Sequence, residues 1–289
     1  MQNKKISFIF FGTSEFSVFV LDELKKLGLV PNLVITTPDK PKGRKLIITP
    51  SEVKIWADNN RIEILQPEKL DTIFAEKLKA IKSDFYLVAS YGKIIPEIIL
   101  DIHPHKTLNI HPSLLPKLRG ASPIQSAILK EKETGVTIIE LDKEMDHGPI
   151  VAQEKVNILE WPPRKDALEK ILAQTGGKLL ASILPKWLSR KIKSKPQNHN
   201  EATYTKKIEK TDGLIDLNND PYENYKKIRS FYGWPGTYFF LEKNGKKIRT
   251  IIKNASFKDG KLEIKCVLPE GKKEMDWGSF SKKFLDSNI

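Results

Sequence analysis

The stretch Ile6–Thr37, ISFIFFGTSEFSVFVLDELKKLGLVPNLVITT, decides how the chain folds. It opens on the apolar run Ile6–Phe11, the pattern of a strand buried on both faces. The run stops at Gly12-Thr13-Ser14-Glu15, a strand-to-helix turn with Thr13 or Ser14 as N-cap. Phe16, Phe19, Val20, Leu24 and Leu27 then recur at helical spacing, and Leu29–Thr36 is apolar again. Strand, helix and strand in so short a span make the unit of a parallel sheet covered by helices. Free backbone amides in the turn could bind an anion. The three-glycine spacing of a dinucleotide site is missing, so we read the turn as structural.

The same alternation continues outward. Helices are expected over Ser51–Asn59, with Ser51 as N-cap, over Thr72–Ile81 and over Ser122–Lys130. Strands are expected over Ile62–Leu65, Phe85–Ser90 and Lys106–Ile110, followed by the pair Gly135–Asp142 and Ile150–Val156. The fold class is therefore α/β: a Rossmann-like, mostly parallel sheet with helices on both faces. Sites in such sheets form beyond the carboxyl ends of strands at a switch point, which places Gly12, Tyr91 and His111 there. Lys165–Leu188 reads as one amphipathic helix interrupted at Gly176-Gly177. Ser189–Asn200 turns polar and basic, a linker texture. Beyond it, Tyr222–Phe231 reads as a helix and Trp234-Pro235-Gly236 as a turn. Tyr238–Leu241, Lys247–Ile252 and Leu262–Val267 read as short strands of a small OB-like β-barrel. The expected domains are 1–189, a linker 190–203, and 204–289.

Length and charge narrow the class. The chain has 289 residues, enough for about two domains. No apolar run reaches the roughly 20 residues that cross a bilayer. The first apolar run ends in Gly-Thr-Ser-Glu, unlike a cleaved leader. The single cysteine, Cys266, excludes an intrachain disulfide and suits a cytoplasmic location. The net charge is +13. Residues 190–289 carry 22 Lys+Arg against 13 Asp+Glu, and residues 1–189 carry 27 against 23. The last third thus holds most of the excess, which suits a polyanionic partner or simply a solvated lysine-rich face.

Chemistry concentrates in Thr107–Pro116, TLNIHPSLLP. Asn109 and His111 are two apart and share one face of an extended backbone. An amide donor beside an imidazole suits carbonyl chemistry: one holds an oxyanion, the other handles a proton. Taken by itself, such a pair is more often structural, a His and Asn at a strand terminus. Downstream, Asp146 in Asp142–Gly148 could orient His111 or hold a water, or be a turn acid before Gly148. His147 is adjacent, but the spacing is not that of a metal site, and no metal is expected. Thr36–Thr49 is an expected exposed basic loop with Lys40, Lys42, Arg44 and Lys45, able to grip phosphates or merely to be solvated.

These motifs, Asn109–Pro116 followed by Arg119-Gly120-Ala121-Ser122-Pro123-Ile124-Gln125 and Met145–Gly148, resemble the signature of the folate-dependent formyl transferases. Phe10–Thr13, Pro38–Lys45, Tyr91–Pro96, Ala202–Ile208, Ile228–Phe231 and Trp234–Gly236 extend the likeness over nearly the whole chain. They point to the branch that acts on methionyl initiator tRNA. The resemblance implies a catalytic trio of Asn109, His111 and Asp146. It implies 10-formyltetrahydrofolate as co-substrate, contacted by Ser113, Leu114, Leu115 and Pro116. Tyr91, Gly92 and the Leu141–Asp146 stretch would line the pterin pocket. It further implies an aminoacylated initiator tRNA held by Arg44, Lys42, Lys45, Lys206 and Lys207. Apart from the resemblance, a monomer with no membrane partner is expected. Leu118 departs from the family pattern, which usually has an aromatic residue there. Rival acceptors are a ribonucleotide amine, an amino sugar nucleotide or water. A different class, RNA binding on an inactive transferase scaffold, is opposed by the intact trio.

Overall fold

The computed structural model describes residues 6–43, 45–243 and 245–284. They fall into two compact units: residues 6–120, 133–157 and 169–204, and residues 121–132, 158–168 and 205–284. None of their helices is long and apolar enough to cross a membrane.

In chain order the elements of the first half are β1 (Phe8–Gly12), α1 (Glu15–Lys26), β2 (Leu33–Ile35), β3 (Lys40–Lys42) and β4 (Ile47–Thr49). They continue as α2 (Glu52–Asn59), β5 (Glu63–Leu65), α3 (Thr72–Lys79), β6 (Phe85–Ala89), α4 (Glu97–Leu100), β7 (Thr107–His111) and β8 (Arg119–Gly120). Then come α5 (Pro123–Lys130), β9 (Thr134–Glu140), β10 (Ile150–Val156) and α6 (Lys165–Leu188). Seven strands of the first unit make one sheet in the order β10-β9-β7-β6-β1-β2-β5. The five from β7 to β5 run parallel; β9 runs antiparallel to β7, and the edge strand β10 antiparallel to β9. The chain lays β2 and β5 on one side of β1, then crosses to lay β6 on the other. The switch point therefore lies between β1 and β6. All five residues of β1, β6 and β7 are buried, as a sheet covered on both faces requires.

Local chemistry explains the helix starts. Ser51 caps α2, its Oγ accepting from the Lys54 N–H at 3.0 Å. Asp71 does the same for α3 through Phe74 N–H at 3.0 Å. Ser14 occupies the N-cap of α1 without a side-chain cap bond. One expectation fails: Gly176-Gly177 does not interrupt α6, which runs unbroken. A Cβ on Gly176 would lie 2.5 Å from Ile110 Cγ2, and one on Gly177 would lie 3.0 Å from Glu23 Cβ. The pair is there for close approach, the helix lying directly on β7 and α1. A second difference is that the expected basic loop is a hairpin, with β3 and β4 paired antiparallel from Lys40↔Thr49 to Lys42↔Ile47.

The second unit contains α5 and α7 (Pro221–Ser230), whose side chains reach back to it. Lys226 Nζ donates to Leu129 O at 2.9 Å and Ser230 Oγ to Gln125 O at 3.1 Å. The strands β12 (Thr237–Lys243), β13 (Lys246–Lys258), β14 (Lys261–Pro269) and β15 (Met275–Asp276) follow β11 (Tyr204–Thr205). The expected barrel takes the form of a four-stranded antiparallel sheet in sequential order; no pairing among the described residues closes it. Its core joins Ile228 of α7 to Phe239, Ile252 and Val267, and to Phe280 and Phe284 of α8 (Trp277–Phe284).

Candidate active site

Asn109 and His111 leave one face of β7 and are 7% and 4% exposed. Asn109 stands level with Val88 of β6 and Ile139 of β9, and His111 with Thr137, so the pair sits between strands on both sides. Asp146 comes from the connection between β9 and β10. Gly148 lets that connection fold tightly, because a Cβ there would lie 1.8 Å from Glu140 O. Asp146 is left-handed at φ 51°, a region an aspartate enters more readily than most residues.

The three side chains meet at one oxygen. Asn109 Nδ2 donates to Asp146 Oδ1 at 3.4 Å, and His111 Nδ1 lies 3.4 Å from the same atom. Asp146 Oδ2 accepts from the Gly120 N–H at 2.8 Å. The other imidazole nitrogen, Nε2, lies 3.1 Å from Leu118 O. A carbonyl only accepts, so Nε2 carries a hydrogen. Leu118 is itself left-handed at φ 60°. Its N–H donates to Thr203 Oγ1, and the Arg119 N–H to Thr203 O, each at 2.9 Å. With Nε2 committed to Leu118 O, Nδ1 is the nitrogen that faces the carboxylate.

Behind Asp146 lies a polar cluster that the sequence pattern does not announce. Gln197 is 5% exposed, and its Nε2 donates to Asp146 O at 2.9 Å and Gly148 O at 2.7 Å. Its Oε1 accepts from Arg119 Nη2 at 2.6 Å and Nε at 3.2 Å. The Arg119 guanidinium, buried in a 1% exposed residue, also donates to His199 Nδ1 at 2.9 Å. His199 stacks on His147, ring centroids 4.1 Å apart, and His147 Nδ1 lies 2.7 Å from Asp142 Oδ2.

The residues expected around the folate are gathered in two places. Ser113 and Leu115 are buried, and Leu114 and Pro116 are half-buried. Ser113 Oγ donates to Lys117 O at 2.7 Å, and the Leu115 N–H donates to Thr137 Oγ1 at 3.1 Å. Thr137 Oγ1 in turn donates to Ser113 O at 2.7 Å, and Gln153 Nε2 donates to Leu115 O at 2.8 Å. The turn is thus braced from β9 and β10, and Leu114 lies against Gly135 of β9, where a Cβ would come within 2.5 Å of Leu114 Cδ2. At the switch point the Gly92 N–H donates to Thr13 Oγ1 at 3.3 Å, and the Thr13 N–H to Ser90 O at 3.1 Å. Tyr91 and Leu141 both pack on the cluster of Phe11, Val88 and Ile95. Burial pushes the Tyr91 phenol up to about 12, so it is a neutral O–H. That hydroxyl is buried with no hydrogen-bond partner among the described residues.

The basic residues divide. Lys42 Nζ pairs with Glu52 at 2.7 Å and Lys206 Nζ with Asp212 at 2.8 Å. That partner raises the Lys206 ammonium above its ordinary value, and Lys206 in turn holds the Asp212 carboxyl below its own. Lys45 and Lys207 are exposed, with no ion pair among the described residues. Arg44 lies outside the described residues.

Residues 4–184 match the family described as formyl transferase, and residues 207–256 match the formyl transferase C-terminal domain. The chain is 42% identical over 249 residues to methionyl-tRNA formyltransferase of Campylobacter curvus, covering 83% of this chain and 80% of that one. It is 39% identical over 286 residues to the enzyme of the same name from Thermodesulfovibrio yellowstonii, covering 92% of each. Among solved structures it is similar to methionyl-tRNA formyltransferase of Clostridium thermocellum, with TM-score 0.59 and 20% identity over 94% of this chain and 99% of that one. A 4-N formyltransferase of Francisella tularensis shares the fold at TM-score 0.65 and 20% identity, over 88% of this chain and 99% of that one.

Proposed function

The chain belongs to the formyl transferase family, among its methionyl-tRNA formyltransferases, and from that premise we propose how its own residues carry the reaction. The formyl group of 10-formyltetrahydrofolate passes to the amino group of methionyl initiator tRNA. The observation that carries the site assignment is the meeting of Asn109 Nδ2 and His111 Nδ1 at Asp146 Oδ1, each at 3.4 Å.

The neutral amine attacks the formyl carbon, and a carbon–nitrogen bond forms as the carbonyl becomes an oxyanion. Asn109 Nδ2–H and His111 Nδ1–H, the latter in the doubly protonated ring, donate to that oxyanion. Leu118 O keeps the ring from turning away. The Asp146 carboxylate takes the proton that the attacking nitrogen sheds. Collapse breaks the bond from carbon to N10 of the folate, and N10 leaves with that proton, so charge and atoms balance. Leu114 and Pro116 face the folate, and Tyr91 offers its unpartnered hydroxyl at the pterin end. Arg44, Lys45 and Lys207 meet tRNA phosphates, and Lys42 and Lys206 do so by exchanging their carboxylate partners. Exposed ion pairs of this kind contribute little, so the exchange costs little.

The test supplies labelled formyl donor with methionyl initiator tRNA, a ribonucleotide amine, an amino sugar nucleotide or water. Label is expected on the tRNA. Label on the sugar nucleotide or on free formate, with tRNA unlabelled, would overturn the acceptor assignment.

A further inference from the structure

We infer that Gln197, oriented by the buried Arg119, is the positioning residue that sets the Asp146 carboxylate against Asn109 and His111. The inference rests on the reading of Asp146 given above. A glutamine amide has two N–H hydrogens and one carbonyl oxygen to place. Here all are used: both hydrogens go to Asp146 O and Gly148 O, at 2.9 and 2.7 Å, and the oxygen takes Arg119 Nη2 and Nε. A guanidinium can only donate. Arg119 therefore accepts one orientation of the Gln197 amide, oxygen inward, which turns the NH2 group onto the two carbonyls. Those carbonyls flank His147, so the amide grips both ends of the turn that begins at the catalytic carboxylate.

The turn needs such a grip. Asp146 is held in the left-handed region at φ 51°. Its contacts to Asn109 and His111 are long, 3.4 Å each, so a small displacement loses both. A misplacement of about 1 Å from a change away from the chemistry costs on the order of 10²-fold in rate.

Gln197→Glu is the deciding variant. It is isosteric and keeps an oxygen for Arg119. It replaces both N–H donors with an acceptor facing two carbonyl oxygens. Gln197→Ala removes the grip outright. Each is measured alone and combined with Asp146→Asn, by single-turnover transfer of labelled formyl to methionyl-tRNA, with circular dichroism and KM for both substrates. The expected result is a folded Gln197→Glu enzyme with KM values within about twofold of wild type and kcat lower by about 10- to 100-fold. In the Asp146→Asn background the same change adds less than about twofold, because no carboxylate remains to be positioned. The inference is overturned by near-wild-type kcat in Gln197→Glu, by an equal loss in both backgrounds, or by failure of Gln197→Glu to fold. Wild-type turnover in Asp146→Asn alone would instead remove Asp146 from the mechanism.

Discussion

Replacing Asn109 with alanine separates the two jobs its amide does. The first is donation to the oxyanion, and loss of one such donor typically costs ~10²–10³ in kcat, roughly 3–4 kcal/mol. The second is its bond to Asp146 Oδ1. At 3.4 Å that bond is near the outer limit of hydrogen-bond geometry, so it contributes well under about 1 kcal/mol. Asp146 also keeps its 2.8 Å bond from the Gly120 N–H. The first effect dominates, and kcat should fall by about 10²–10³. KM for either substrate should stay within about threefold, because the missing donor acts only on charge that develops in the transition state. Truncating this buried amide should cost about 1 kcal/mol of stability, which a urea midpoint will read. The assay is steady-state transfer of labelled formyl to methionyl-tRNA, with folding checked by circular dichroism. A folded Asn109→Ala enzyme within about fivefold of wild-type kcat would refute the oxyanion role, as would a loss confined to KM.

Lys45→Ala and Lys207→Ala should each raise KM for tRNA and flatten its log–log salt dependence by up to ~0.9 for each phosphate no longer neutralised. Transfer to a small amine acceptor should not change, and an equal loss on both acceptors would remove these lysines from a tRNA surface. Lys42→Ala should do less, because Glu52 already holds that ammonium at 2.7 Å. Gly176→Ala would place a methyl 2.5 Å from Ile110 Cγ2 and 3.2 Å from Val136 Cγ1. Overpacking of roughly 1–3 kcal/mol should outweigh the ~1 kcal/mol gain in helix propensity, and a raised urea midpoint would contradict the close approach. Burial holds the His103 imidazole below its ordinary value, against the opposing pull of Asp84. Below about pH 6.5 the unfolded chain takes the proton first, so stability is full above that pH and falls as pH drops through the folded value. Unfolding free energy should therefore decline more steeply toward about pH 5 in wild type than in His103→Gln, and parallel curves would exclude His103 as a source of that dependence.

The sequence is legible where one residue type does one job locally. Continuous apolar runs announce β1 and β6, and Ser51 announces the start of α2, because burial and capping depend on near neighbours. Gly176-Gly177 misleads for the converse reason. Glycine weakens a helix locally, and its use here, contact with Ile110 and Glu23, lies far along the chain. The β3–β4 hairpin is hidden because Pro41, Gly43 and exposed lysines carry loop composition. In the site, the two-residue spacing by itself makes Asn109 and His111 neighbours on one face of a strand. Gln197 has no such signal. It sits in a polar stretch, and its partners are backbone carbonyls 51 and 49 positions away, where any residue type would serve.

Residue 118 shows how a site can tolerate drift. What it gives His111 is a main-chain oxygen, an atom every amino acid supplies. The position calls for a backbone direction and for a side chain that fills a 3% exposed space, not for side-chain chemistry. A side chain that fills this space can therefore stand at position 118 without disturbing His111, provided the carbonyl keeps its aim.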